Sequence, residues 1–207
     1  MILEQENIEE EIVEADKKLQ NPPKEVKALY ITAWSTTLPD RMNGFVDLIK
    51  REKLNAVIID VKDYSGYIAY DTENEDVLKY EAKKVIIPDV DDLIQKFHNS
   101  GIYVIARVTV FQDPILAAAR PDLAIKNNVT GRLWKDNSGL AWIDPGSIEA
   151  RNYIVEIAKD ASARGFDEIN FDYIRFPSDG RLSQMSFPFY DSEKQTKREV
   201  MKEVFEH

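Results

Sequence analysis

Apolar and polar positions alternate along this chain in two periods, and the two take turns. Ala28-Leu29-Tyr30-Ile31-Thr32-Ala33-Trp34 is rich in aromatic and β-branched residues and reads as a first strand. Phe45, Val46, Leu48 and Ile49 then mark a helix lasting to about Lys53. Asn55 to Val61 is a second strand, and its nearly continuous apolar run suits a parallel strand covered on both faces. A long connection over about 64–88 follows. Pro88-Asp89 opens a helix with Val90, Leu93, Ile94 and Phe97 on its apolar side, and Ser100-Gly101 ends it. Ile102 to Val110 is a third strand, interrupted by Arg107. Asp113-Pro114 starts a short helix over 114–119, with Asp113 as cap and Pro114 in the first turn. Residues 120–146 read as loop, and 148–164 as a helix striped by Ile148, Tyr153, Ile154, Ile157 and Ala158. Gly165 closes that helix, since a residue tolerating positive φ ends helices cheaply. A fourth strand carries Ile169, Phe171 and Tyr173 on one face and Asn170, Asp172 and Ile174 on the other. A loop over 178–191 and a charged helix over 192–207 complete the chain.

Strand and helix thus recur four times, joined by long crossovers. Such connections make parallel neighbours and are right-handed almost without exception. The expected fold is α/β, of the (β/α)8 TIM-barrel type, with about the first four β/α units present. An open doubly wound sheet competes, but no Gly-rich phosphate turn follows the first strand. Asn21-Pro22-Pro23 separates residues 1–23, an acidic arm or linker, from residues 24–207, the barrel part. A half barrel exposes two apolar sheet edges, so this reading expects either a longer protein or self-association.

Composition narrows the function classes. Hydrophobic residues make up 43% and charged residues 31% of the 207, which fits a globular chain with a real core. A net charge of -10 argues against nucleic acid or an anionic membrane surface as partner. With no Cys and only His98 and His207, thiol catalysis, multi-histidine metal sites and Ser-His mechanisms are poorly supplied, and no cofactor or metal is expected. No apolar run approaches the roughly 20 residues that span a bilayer.

The candidate chemistry gathers where strands end. Asp60, Lys62 and Asp63 follow the second strand, Arg107 is near the end of the third, and Asp172 and Arg175 are at the fourth. In a parallel barrel these ends share one face and converge. Asp60 and Lys62 read equally as an exit turn or as site members. Arg107 either faces a ligand or neutralises a buried Asp. Asp144 reads as a helix cap, Asp167 and Glu168 as surface or cap residues at the wrong end of the strand, and His98 as a solvated cap. Asp172 stands out, because a carboxylate at the end of an otherwise apolar strand needs partners or a wet cleft. Trp34, Trp134 and Trp142 add flat apolar rings that suit sugar C–H faces, with core packing the alternative for at least one of them and for Tyr173.

Asp167-Glu168-Ile169-Asn170-Phe171-Asp172-Tyr173-Ile174-Arg175-Phe176-Pro177 resembles a glycoside hydrolase domain family of bacteria. Ala28 to Trp34, Ile58-Ile59-Asp60-Val61-Lys62-Asp63 and Trp142-Ile143-Asp144-Pro145-Gly146 carry the same resemblance, which covers about residues 26–190. It implies an alpha-amylase-like or chitinase-like barrel, attack on the glycosidic bonds of a carbohydrate, and an extracytoplasmic or cell-envelope setting. Asn170 and Asp172 match two of the acidic positions of a chitinase strand, the first as an amide. Ile174 takes the position of the chitinase proton donor, so substrate-assisted chemistry is not expected.

Glycoside hydrolysis needs two carboxyl groups. Asp172 is the expected nucleophile or stabiliser of the oxocarbenium-like charge, kept ionised by Arg107 or Arg175. Asp60 is the expected second catalytic carboxylate, with Asp63 or a residue on later strands as alternative donors. Trp34, Lys62, Asp63, Arg107, Trp142, Asn170 and Arg175 are the expected substrate contacts. A carbohydrate-binding module that keeps the groove without catalysis is the competing expectation. A phosphate-handling barrel is a weaker third.

Overall fold

The computed structural model describes residues 17–207, so the helix or arm expected from the first part of the chain lies outside the described residues. Strands β1 (Ala28–Ile31), β2 (Ala56–Lys62) and four partners described below belong to one six-stranded sheet. Between β1 and β2 run a 3-10 turn, Ala33–Thr37, and helix α1, Pro39–Arg51. The first strand is therefore shorter than the run of residues suggests, and Trp34 stands in the turn beyond it. Met42, Val46 and Ile49, spaced by four and three, bury the inner stripe of α1.

The connection after β2 is not irregular. It holds β3 (Ile68–Tyr70), a short helix α2 (Glu75–Lys79) and β4 (Lys83–Ile87). β3 meets β2 antiparallel at the single pair Lys62 and Ile68, and β4 runs parallel to β3. Elements of three to five residues are too short to show a period, so only their tertiary partners reveal them.

Helix α3 (Val90–His98), strand β5 (Tyr103–Thr109) and helix α4 (Pro114–Ala119) follow. Asp89 caps α3 through the Asp92 amide at 2.9 Å, and Asp113 caps α4 through the Leu116 amide at 2.8 Å. A long loop contains the two-residue strand β6, Lys126–Asn127. Helix α5 spans Ile148–Arg164, capped by Ser147 and ended by Gly165 at φ 112°. Strand β7 is Glu168–Asp172. The exit loop carries β8 (Met185–Ser186), which pairs antiparallel with β6. The last helix, α6, covers Lys197–Glu206. It starts later than its charge pattern suggests, because Thr196 and Glu199 form a reciprocal capping box there.

β1, β2, β5 and β7 lie side by side and all parallel, each joined to the next by a helical crossover. This is the β/α arrangement of a TIM-barrel type fold. Val57, Ile59 and Val61 of β2 and Val104, Ala106 and Val108 of β5 are fully buried. They share one face of the sheet and pack with Phe97, Ile154, Ile157 and Phe166 in a single core. The residues of opposite parity face away from that core, and they build the site.

At the other end of β7 the structure corrects two expectations. Asp167 is not a surface residue: its side chain is 2% exposed and accepts from the amides of Leu19 and Val104 at 2.7 Å each and lies 2.8 Å from His98 Nε2. His98 is consequently buried in that pair and not a solvated cap. Burial works against the charge of Asp167, but His98 and the two amides hold its carboxyl below the usual carboxylate range. A carboxyl whose folded pKa lies below its unfolded value stabilises the fold above the unfolded pKa, about 3.9, and loses that contribution as pH falls through the folded value. Thermal unfolding should therefore show a midpoint that drops as the pH falls below about 4, and Asp167→Asn should flatten that part of the curve. An unaltered acid limb in the variant refutes the role.

Candidate active site

Strand register assembles the site. Asp60 of β2, Arg107 of β5 and Asn170 of β7 stand in one row, and Thr109 pairs with Asp172 one step further along. All point to the face opposite the buried core. β1 pairs Tyr30 with Ile58, so Tyr30 shares this face one step below Asp60.

Arg107 is the centre. Its Nη1 donates to Asp60 Oδ1 at 2.5 Å, its Nε donates to Asp172 Oδ2 at 3.0 Å, and its Nη2 donates to the same Asp172 oxygen. Asp60 Oδ2 accepts the Tyr30 hydroxyl, and the Tyr30 ring centroid lies 5.7 Å from the guanidinium carbon. Asp172 Oδ1 takes the Tyr173 amide at 2.6 Å. Tyr173 itself has φ 54°, the left-handed region that non-glycine residues seldom enter. One guanidinium thus bridges two carboxylates in the planar, multidentate manner that Lys cannot reproduce.

The electrostatics follow from those bonds. Burial raises the cost of a charged Asp172, yet the Arg107 hydrogen bonds, the Tyr173 amide and the charges of Arg107 and Arg175 hold its carboxyl below the usual range. Burial opposes the charge of Arg107 as well, and the two carboxylates more than offset it, so the guanidinium is held more firmly protonated than a free one. Burial and the bond to Asp60 push the Tyr30 hydroxyl up to about 12. Near neutral pH the network is therefore a protonated tyrosine, a cation and an ionised Asp172. Asp172 is also the open member: its side chain is 45% exposed, against 6% for Asp60.

The other expected site residues divide. Asn170 is exposed in the same row as Arg107. Asp63 lies on the turn after β2, where its Oδ1 accepts from the Ser65 amide and hydroxyl at 2.8 and 2.5 Å. Arg175 is exposed, stacked 5.1 Å from the ring centroids of both Trp142 and Tyr173, and donates to Ser178 Oγ at 2.8 Å. Trp34 is 59% exposed, with Lys84 Nζ 5.8 Å from its ring centroid.

Two expected contacts are corrected. Lys62 is 0% exposed and pairs with the equally buried Asp113 at 2.9 Å, while donating to the Thr109 carbonyl at 2.6 Å. The cause is a register shift between Asp60 and Lys62, after which Lys62 stands opposite Val108 instead of sharing the face of Asp60. Trp142 is 1% exposed and donates its indole N–H to Asp136 at 2.9 Å, so it supports the Arg175 and Tyr173 layer from beneath. Trp134 is buried too, donating to the Arg181 carbonyl at 3.0 Å. Sequence reasoning missed Tyr30 as a site member. Its position in β1 carried a usable signal, because parity places it on the polar face of the neighbouring strand.

Asp144 does not cap α5. It is fully buried, its Oδ1 accepts from Gly146, and its Oδ2 accepts from the amides of Phe189 and Tyr190 at 2.7 and 2.9 Å. One carboxylate therefore clamps the exit loop of β7. Asp144→Ala should expose both amides to exchange and cost about 1–3 kcal/mol, the penalty of stranding buried donors. Hydrogen exchange at Phe189 and Tyr190 checks this, and protection equal to the wild type rejects it.

Comparison with known proteins follows the same lines. A crystal structure of a hypothetical protein from Ruminiclostridium thermocellum is similar at TM-score 0.78 and 38% identity, over 86% of this chain and 89% of that one. Alpha-L-fucosidase isoenzyme 2 from Paenibacillus thiaminolyticus matches at TM-score 0.56 and 12% identity, over 88% of this chain and 28% of that one. The chitobiase of Flavobacterium johnsoniae matches at TM-score 0.52 and 17% identity, over 72% of this chain and 23% of that one. This chain spans about a quarter of the length of these two enzymes, and at such identities the likeness is one of fold. No curated protein sequence matches. The family model described as "Putative glycosyl hydrolase domain" matches residues 28–206, from β1 through α6, and the chain belongs to that family.

Proposed function

We propose that this chain carries the carboxylate side of a glycosidase site, acting on a polysaccharide or cell-envelope glycan. The observation that carries the reading is Asp172: a half-exposed carboxylate at the carboxyl end of a parallel barrel strand, held ionised by Arg107. Active groups of such barrels stand at that end. Asp172 serves as nucleophile at the anomeric carbon or as stabiliser of its developing positive charge. Asp60 is the second carboxylate of the site. Both its oxygens accept hydrogen bonds, from Arg107 and Tyr30, so it orients Arg107 and is not the proton donor. Among the described residues, Asp63 at the turn beyond β2 is the candidate donor to the leaving oxygen. Asn170, Arg175 and Trp34 border the same end and supply hydroxyl contacts and a stacking face.

The test is release of new reducing ends from a polysaccharide panel by the chain, with the Asp172→Asn variant alongside. Turnover that does not depend on the Asp172 carboxylate sinks the assignment. The donor has its own measurement. An aryl glycoside with a strongly acidic phenol leaves without protonation, so Asp63→Asn should spare its cleavage while lowering natural-linkage cleavage roughly 10²–10⁴-fold. Equal effects on both substrates remove Asp63 from the role.

A second reading also has an observation behind it. Both carboxylates are tied to one guanidinium, and Trp34 offers an open aromatic face, as in a glycan-binding surface without catalysis. Glycan binding that Trp34→Ala abolishes, without release of reducing ends, favours this reading.

A further inference from the structure

The exit loop of β7 forms a second concave surface that the Asp172 network does not use. It is a shallow, open groove of about 660 Å³, lined by Phe187, Phe189, Tyr190, Asp191, Lys194 and Lys197, among others. That volume is in the range of small-molecule sites. Its walls are packed. Phe176, Phe187 and Tyr190 interlock edge to face, with centroids 5.0 to 5.5 Å apart. Lys197 Nζ lies 5.0 Å from the Phe176 centroid, at the first turn of α6. The backbone beneath is clamped by Asp144, and Gly146 comes so close that a Cβ there would lie 3.0 Å from the Tyr190 nitrogen.

One ring in this frame is half open. Phe189 is 47% exposed, although its amide is bonded to a fully buried carboxylate. A backbone fixed from behind holds the base of this ring in place before any ligand arrives, so less of the loop has to be ordered on binding. Asp191 and Lys194 stand beside it as a 2.9 Å ion pair, giving acceptors and donors at the rim. A ring face with hydroxyl partners at its edge matches a pyranose. Phe176, whose ring packs on Phe187 and Tyr190, lies four residues past Asp172, the last residue of β7, so the surface adjoins the same end of the sheet.

We infer that this exit loop is a separate sugar-binding subsite, in which Phe189 stacks on a pyranose of the glycan chain some way along from the bond at Asp172. The inference rests on the glycan-directed reading of the chain, and its test separates the two. Binding of linear tetra- to hexasaccharides with cello-, chito-, xylo- and malto-type linkages is measured by calorimetry for wild type, Phe189→Ala and Phe189→Trp. Cleavage is measured separately for wild type and Asp172→Asn. The expected result is a rise of about tenfold in Kd for Phe189→Ala with the oligosaccharide the wild type prefers, and affinity restored in Phe189→Trp. Equal affinity in Phe189→Ala, or no oligosaccharide bound by the wild type, overturns the subsite. If Phe189→Ala weakens binding while Asp172→Asn leaves cleavage unchanged, the subsite stands and the catalytic assignment of Asp172 falls.

Discussion

Replacing Asp172 with Asn should lower kcat roughly 10²–10³-fold while leaving KM little changed. The size is that of losing one preorganised charge from a transition state that develops the opposite charge. The selectivity for kcat follows from the proposed role, in which the carboxylate gains its value as the anomeric carbon becomes positive, not when the neutral sugar first binds. Stability should move by less than about 1 kcal/mol, since the Asp172 side chain is nearly half exposed and solvent already screens its pair with Arg107. The pH profile gives a second reading of the same group. Because Asp172 is held below the usual carboxylate range, activity that needs its ionised form should persist into acid that would protonate an ordinary Asp. Arg107→Gln removes the first of the favourable partners and should move that acid limb to higher pH. An acid limb unchanged by Arg107→Gln contradicts the electrostatic role given to Arg107. A KM effect without a kcat effect assigns Asp172 to binding alone.

The largest loss of stability should come from the buried pair beneath the site. Asp113→Ala leaves the Lys62 ammonium with no carboxylate in a place where it is wholly shielded from water. Breaking a buried pair from one side costs about 3–5 kcal/mol, far more than the pair is worth against an apolar replacement. The same change removes the cap of α4, about 1 kcal/mol more. For a chain of this size that total corresponds to a fall in melting temperature on the order of 10 °C. Asp113→Asn separates the contributions, because an amide oxygen can still cap Leu116 but cannot balance Lys62. Denaturant unfolding of both variants measures them, and a loss below about 1 kcal/mol in Asp113→Asn shows that the charge is compensated in some other way. Gly66 belongs to the same unit. It lies at φ 86°, and a Cβ there would come within 2.4 Å of Asp113 Oδ1, so Gly66→Ala should destabilise by strain and collision together.

The helices of this chain were legible because their signals are local. Asp89, Asp113 and Ser147 sit where caps are needed, Gly165 sits where a positive φ is needed, and the apolar stripes of α3 and α5 have the helical period. The four parallel strands were legible for the same reason, as apolar runs between those helices. The short elements β3, α2 and β4 were not, since a strand of three residues exists only through its neighbours. Among the polar groups that meet at the candidate site, Asp60, Arg107 and Asp172 could be named from strand ends alone. That a single guanidinium joins the first and last of them could not, because the contact spans 47 residues on one side and 65 on the other. Asp144 and Asp167 were read by their local surroundings, a proline and a strand start, whereas their partners are distant amides that only the folded chain delivers.

Sequence alone determined the α/β order of this protein's longer elements and the end of the sheet at which the carboxylates gather. These depend on backbone propensity and on periods of 2 and 3.6, which neighbouring residues settle among themselves. Only the tertiary structure decided which of the polar side chains at that end meet solvent. Lys62 and Asp60 are two residues apart and alternation assigns them to one face, but a shift in strand register sends Lys62 into the core and leaves Asp60 on Arg107. Trp34 and Trp142 carry the same ring, yet one is open and the other covered, because burial is set by what packs against a residue and not by the residue itself.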